Sequence, residues 1–282
     1  MIPSSVCIDT IALGGTLDAK LAAITEAGCK SVMVWGNDLM SDPGGVKVAA
    51  RKIRESGLAV AGFQLLRNIE AVERHLVDYK IDLARSLFSM MEAVGTDLLL
   101  VSSGASARGV RDIPTVGARL RMLADLGEAI GARIAYEALS WGGFIDTWEL
   151  AHQAVVAADH PRVGLVIDSF HSFARHQPVE PLKKIPVERI FMVQLSDGAF
   201  DAVTEVDDLI ESARHHRIFP HDGQHAFDIR HMVETLHGMG FAGPWAIEVF
   251  NDDYRHLAPE VVMRKAVETA DWLRPVIGAE RA

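Results

Sequence analysis

Eight times along the chain a short, almost wholly apolar run is followed by a longer stretch whose apolar residues recur three and four positions apart. The runs are SVCID (5–9), SVMVW (31–35), LAVAGF (58–63), DLLLVS (97–102), RIAYE (133–137), VGLVID (163–168), RIFMVQL (189–195) and PWAIEVF (244–250). A strand that is apolar at consecutive positions buries both faces, as strands do in a parallel sheet covered by helices. The intervening stretches read as those helices. TLDAKLAAITEAG (16–28) opens on a Thr cap and stops at Gly28; VKVAARKIRESG, ERHLVDYKIDLARSLFSMMEAVG, VGARLRMLADLGEAIG, TWELAHQAVVAA and DIRHMVETLHGMG follow the same pattern, several ending in glycine just before the next strand. Strict alternation of this kind, repeated eight times with no break in composition, predicts a closed (β/α)₈ TIM barrel forming a single domain over residues 1–282. An open doubly wound sheet is the competing architecture, and the phosphate fingerprints GxGxxG and GxxxxGK[ST] that often accompany it are absent.

With 28 basic against 38 acidic residues the net charge is −10, which repels phosphate backbones and anionic bilayers. A small-molecule partner is expected, with no nucleic acid and no membrane; homo-oligomerisation stays open. The two cysteines, Cys7 and Cys29, lie in apolar segments without CxxC spacing, so neither a disulfide framework nor a thiolate metal site is expected. The N-terminal segment MIPSSVCIDT lacks a basic and apolar leader, and no run reaches the 18 or so apolar residues that span a bilayer, so a cytoplasmic location is expected.

In such a barrel the C-terminal ends of successive strands converge on one mouth. The fifth to eighth runs finish on Glu137, Asp168, Gln194 and Glu248, four oxygen donors at equivalent positions. Each alone reads as a helix cap or ion-pair partner. Together, three carboxylates crowded in a low-dielectric mouth repel one another unless a cation holds them ionised. All-oxygen donors favour Mg²⁺ or Mn²⁺, with Co²⁺ also compatible. His171 follows Asp168 by three residues, where a neutral imidazole could move a proton; its plainer reading is a helix-start histidine bonded to backbone. Two long strand-to-helix connections, 102–114 and 196–227, fall on the same face of the barrel. The second carries Arg214, His215, His216, Arg217, His221 and His225: an arginine fork for a carboxylate, or a solvated basic loop. A second metal on His221 and His225 is disfavoured, because the Asp-Gly between them opposes a helix.

The stretches GTLDAKLAAITEAG, FQLLRNIE (63–70), MEAVGTDLLLV (91–101), YEALSWG (136–142), VIDSFHS (166–172), FMVQLSD (191–197), ARHHRIFP (213–220) and IEVFND (247–252) together resemble the xylose-isomerase-like TIM barrels, the sugar isomerases and epimerases, and within them the bacterial 3-dehydroshikimate dehydratases. The resemblance implies that Glu137, Asp168, Gln194 and Glu248 ligate a divalent metal and that His171, with Glu137, handles the proton. It implies that Arg67, together with Arg214 or Arg217, holds the substrate carboxylate. Gln194 sets the chain apart from the ketose and cyclitol isomerases, which usually place His there. Departures from the dehydratase pattern fall at Gly104, where an Asn is usual, at Gly143 and Phe144, where a basic pair is usual, and at His221–Gln224 in place of a glycine-rich turn. These departures sit on the substrate side of the mouth.

The expected activity is a metal-dependent lyase that removes water from a polyhydroxylated cyclic ketone by way of an enolate, with 3-dehydroshikimate as substrate and protocatechuate as product. The alternative is a metal-dependent sugar or cyclitol isomerase or epimerase, which forms the same enolate and returns the proton elsewhere. Phosphodiester cleavage, known on this fold, calls for several zinc ions on many histidines and conflicts with the oxygen donors and the acidic charge. A non-enzymatic binding barrel would have lost the ligands.

Overall fold

A computed structural model of the chain describes residues 2–70, 72–106, 109–198 and 205–278. Eight parallel strands close a barrel in sequential order: β1 (Val6–Asp9), β2 (Ser31–Trp35), β3 (Ala59–Arg67), β4 (Leu98–Ser102), β5 (Arg133–Glu137), β6 (Val163–Asp168), β7 (Ile190–Leu195) and β8 (Trp245–Ile247), with β8 pairing back onto β1. Each run identified from the sequence therefore becomes a strand. The differences lie at the ends. The third strand runs on to Arg67 because the apolar pair Leu65–Leu66 continues the pattern, and this puts Arg67 on a strand end in register with Ser102. The eighth stops at Ile247, so Glu248 sits just past the last paired residue.

Two cores hold the barrel. Inside it, Cys7, Met33, Leu98, Leu100, Ala135, Val166, Met192 and Ala246 fill the lumen from alternate strand positions. Gly62 belongs to this layer by necessity: a Cβ there would come within 2.8 Å of the Met33 sulfur. Between sheet and helices a larger cluster packs Val32, Val34, Leu99, Val101, Ile134, Ile167 and Val193 against the surrounding helices. Both cysteines are buried, and burial pushes their thiols up, Cys29 to about 11, so both stay protonated.

The helices begin with α1 (Leu17–Glu26), whose Thr16 side chain accepts the Ala19 N–H as the sequence predicts. They continue as α2 (Gly36–Met40), α3 (Val46–Glu55), α4 (Val77–Val94), α5 (Ile113–Leu126), α6 (Trp148–Ala158), α7 (Ser169–Ala174), α8 (Val206–His215), α9 (Ala226–Gly238), α10 (Asp252–Arg255) and α11 (Pro259–Ile277). The long connection 196–227 is not all loop: α8 interrupts it, opened by a capping box between Glu205 and Asp208. Residues 199–204 of that connection, and 107–108 of the connection 102–114, lie outside the described residues. Among the described residues no helix is long and apolar enough to cross a membrane.

Candidate active site

Strand ends and the short helix α7 bring the acidic residues together. Glu137 closes β5 and Asp168 closes β6, Gln194 pairs in register with Asp168, and Glu248 follows β8. All four are buried, none more than 4% exposed. Asp168 starts α7 as its cap, accepting the Phe170 N–H at 2.7 Å and the His171 N–H at 3.4 Å, which fixes both the carboxylate and the imidazole one turn away.

Into this cluster reaches Arg217, itself buried. Its Nη1 donates to Asp168 Oδ2 at 3.0 Å, to Glu248 Oε2 at 3.2 Å and to Ser196 Oγ at 3.0 Å, while Nε donates to the Ala213 carbonyl at 2.9 Å. The guanidinium carbon lies 4.6 Å from the Phe170 ring and 5.2 Å from the Phe250 ring. One cation thus faces three carboxylates, and the imbalance appears in their titration. Burial pushes Glu137 well above the usual range, helped by the charges of Asp168 and Glu248. Burial raises Glu248 to about 7 even though Arg217 opposes it. Burial would raise Asp168 too, but the positive charge and hydrogen bond of Arg217, with the Phe170 N–H, hold it below its ordinary value.

A second positive charge would resolve this excess, and the donors suit a divalent ion. Glu137, Asp168 and His171 each present a ligand atom, all within 4.8 Å of one another. Gln194 adds a separate sign: its Oε1 and Nε2 are both buried without a hydrogen-bond partner among the described residues, a costly state that a cation bound to the amide oxygen would relieve. His171 Nε2 lies 3.6 Å from Glu137 Oε1, 3.9 Å from Asp168 Oδ2 and 3.2 Å from Arg217 Nη2. The imidazole expected to move a proton therefore also stands within the ligand group. Its Nδ1 is held by Ser140, 3.0 Å from Oγ, and the Trp141 ring packs edge-on at 5.0 Å. Burial pushes its pKa down to about 3, so the ring is neutral at working pH.

The other side of the mouth is cationic. Arg67 at the end of β3 and Arg214 in the last turn of α8 line a cavity of about 110 Å³ together with Ser102, Glu137, His171 and Arg217. Among the described residues neither the Arg67 nor the Arg214 guanidinium has a hydrogen-bond or ion-pair partner. Loss of hydration, then the neighbouring charge of Arg214, pushes Arg67 below its ordinary pKa. Of the two arginines the sequence offers as partners for Arg67, Arg217 is already committed to Asp168 and Glu248, whereas Arg214 faces the opening.

Several residues of the site escape the sequence reading. Asp9 ends β1 as Asp168 ends β6, a signal that was present in SVCID; it is buried, bonded to Gln64, and raised by burial and by the charge of Glu248. Ser102, Ser140 and Ser196 carry no comparable mark. The histidines of 215–225 disperse: His215 Nδ1 meets Asp252 at 2.7 Å, His221 Nδ1 meets Thr269 Oγ1 at 2.7 Å, and His225 Nδ1 meets Asp197 at 2.8 Å. Two departures turn out to touch. The Gly143 N–H donates to the Gly104 carbonyl at 2.8 Å, Arg111 Nη2 donates to the Gly143 carbonyl at 2.6 Å, and a Cβ on Gly143 would come within 2.6 Å of the Ser106 carbonyl oxygen. A larger residue at 143 would part the two loops.

The 3-dehydroshikimate dehydratase of Pseudomonas aeruginosa is 36% identical over 248 residues, 88% of this chain, and the chain spans 38% of that protein's length. The inosose isomerase of Bacillus licheniformis is 31% identical over 151 residues, covering 53% of this chain and 51% of the isomerase. Among solved structures, a xylose isomerase-like TIM barrel/4-hydroxyphenylpyruvate dioxygenase fusion protein superposes with a TM-score of 0.87 at 31% identity, over 96% of this chain and 43% of the fusion. Residues 21–276 match the model of one family. With a closed eight-stranded barrel and its acidic residues gathered at the strand ends, the chain belongs to the xylose isomerase-like TIM barrel family.

Proposed function

We propose that this barrel is a divalent-metal-dependent dehydratase that converts 3-dehydroshikimate to protocatechuate. The observation that carries the reading is the division of one mouth into a buried acidic side and an open, unpartnered pair of arginines. A cyclic keto-acid matches that division end for end. The 36% identity to a 3-dehydroshikimate dehydratase over most of the chain supports it.

Glu137, Asp168, Gln194 and Glu248 would hold the ion, Mg²⁺ or Mn²⁺ by the hardness of the donors with Co²⁺ compatible, and the unpaired Gln194 amide fits that role. The bound ion would polarise the ring ketone and stabilise the negative charge left on its oxygen by proton loss. Arg67 and Arg214 clamp the carboxylate and set the ring's orientation. His171, neutral and aimed by Ser140, takes the proton α to the ketone at Nε2. The same imidazole, now charged, returns that proton to the departing β-hydroxyl, which leaves as water; a second enolisation makes the ring aromatic. Glu137 is the carboxylate nearest Nε2 and steadies the charged imidazole. Arg217 holds Asp168 ionised and ties it to Glu248. The net acidic charge and two buried, protonated thiols suit a soluble cytoplasmic enzyme working as one barrel domain on a polyhydroxylated carbonyl compound.

A second reading, isomerisation or epimerisation of a cyclitol or ketose, is favoured by the match to an inosose isomerase. Incubating manganese-loaded protein with 3-dehydroshikimate and following ultraviolet absorbance separates the two. Appearance of the aromatic product is expected. No absorbance change in fully metallated protein, with turnover of inosose or a ketose, would replace the dehydratase by the isomerase.

A further inference from the structure

Ser102 ends β4: its carbonyl accepts the Asn68 N–H at 3.3 Å, and it pairs in register with Arg67 on β3 and Glu137 on β5. Ser102 is among the residues that line the cavity shared by Arg67, Glu137 and His171. Yet Ser102 is 0% exposed and its Oγ has no hydrogen-bond partner among the described residues. The nearby serines behave otherwise. Ser103 Oγ accepts the Leu139 N–H at 2.9 Å, Ser140 Oγ meets His171 Nδ1, Ser169 Oγ donates to the Ser196 carbonyl at 2.6 Å, and Ser196 Oγ accepts from Arg217. A buried hydroxyl that bonds to nothing is unfavourable, so its partner is to be sought in what enters the cavity.

Register says what that partner is. Neighbouring parallel strands lie about 4.8 Å apart, so Ser102 stands one strand from Arg67 and one strand from Glu137, between the cationic and the acidic sides. A ring whose carboxylate meets Arg67 and whose ketone lies toward Glu137 must pass its middle atoms across Ser102. We infer that Ser102 is a specificity-determining residue whose hydroxyl bonds to a hydroxyl on the body of the ring, so that the site selects polyhydroxylated ring acids over bare ones. A serine can donate to and accept from such a group, which an alanine cannot. The inference rests on the reading of the substrate as a hydroxylated ring carboxylate.

The test is a binding cycle on manganese-loaded protein, using shikimate and the unsubstituted cyclohex-1-ene-1-carboxylate as probes. Wild type is expected to bind shikimate more tightly. Ser102→Ala should weaken shikimate by about tenfold while leaving the bare carboxylate unchanged, and Ser102→Thr, which keeps the hydroxyl, should recover part of the loss. Melting temperature supplies the second readout: removing an unpartnered hydroxyl should leave it unchanged or higher. Equal weakening of both probes, no weakening of either, or a lowered melting temperature in Ser102→Ala would overturn the assignment. Failure of wild type to bind either acid would reject the ring-carboxylate reading itself, and the assignment with it; failure of the cycle alone leaves that reading standing.

Discussion

The two sides of the barrel mouth are built on opposite plans. On the β5–β8 side Glu137, Asp168, Gln194, Glu248 and Arg217 are all buried, and Arg217 ties Asp168 to Glu248. On the open side Arg67, at the end of β3, and Arg214, in the last turn of α8, are exposed, and neither guanidinium meets a carboxylate among the described residues. The first arrangement is preorganised: its charges are fixed by caps, register and aromatic walls before any ligand arrives. The second is completed only by what binds. Removing a part should therefore cost folding and chemistry on one side, and affinity on the other.

The largest contrast is between two arginines. Arg217→Ala leaves three buried carboxylates without their cation and should destabilise the metal-free protein by about 3–5 kcal/mol, read by denaturant unfolding. Arg67→Ala and Arg214→Ala, at exposed and unpaired positions, should stay within about 0.5 kcal/mol of wild type. Equal costs would erase the distinction between the sides.

His171→Ala sharpens the acidic side. Turnover should fall by about 10²–10⁴ as the proton carrier is lost. Manganese content measured on the same sample decides its standing in the cluster: retained metal makes His171 a proton carrier alone, and lost metal makes it a ligand as well.

The third test is stability against pH in metal-free protein. A Glu in the unfolded chain loses its proton near 4.5, while folded Glu248 keeps it to about 7. Between those values the folded state binds more protons, so the contribution of Glu248 to stability is present below pH 4.5 and is lost as pH rises through 7. The stability of wild type relative to Glu248→Gln should fall by on the order of 3 kcal/mol across that window. A flat or rising difference would mean that Glu248 is ionised throughout.

The smallest effect belongs to the open side. Arg67→Ala and Arg214→Ala should each raise KM by about 10–100-fold, with kcat moved less, because each removes one charge-assisted bond to a carboxylate. An unchanged KM would take the carboxylate away from this pair.

The same division governs how much could be read from the sequence. The strands were legible because a parallel barrel strand is apolar on both faces, and the acidic residues because each interrupts such a run at its end, as Asp168 does in VGLVID. Asp9 carried the same mark. The helix α8 was hidden: VDDLIESARH is largely charged and covers little core, with only Leu209, Ser212 and Ala213 buried. The role of Arg217 was hidden as well, since nothing in ARHHR tells which of two arginines three residues apart turns inward; that is decided by the Phe170 and Phe250 rings and by Ser196, which come from three other parts of the chain. Ser102 and Gln64 are ordinary strand residues until the barrel closes around them.

The proposed role of the buried acidic side is to hold one divalent ion. Calorimetric titration of metal-free wild type and Glu248→Ala with manganese tests this most directly. One site per wild-type chain, absent or greatly weakened in the variant while the fold persists, is the expected result. A wild-type protein that takes up no manganese or magnesium, or a variant that binds as wild type does, would contradict it.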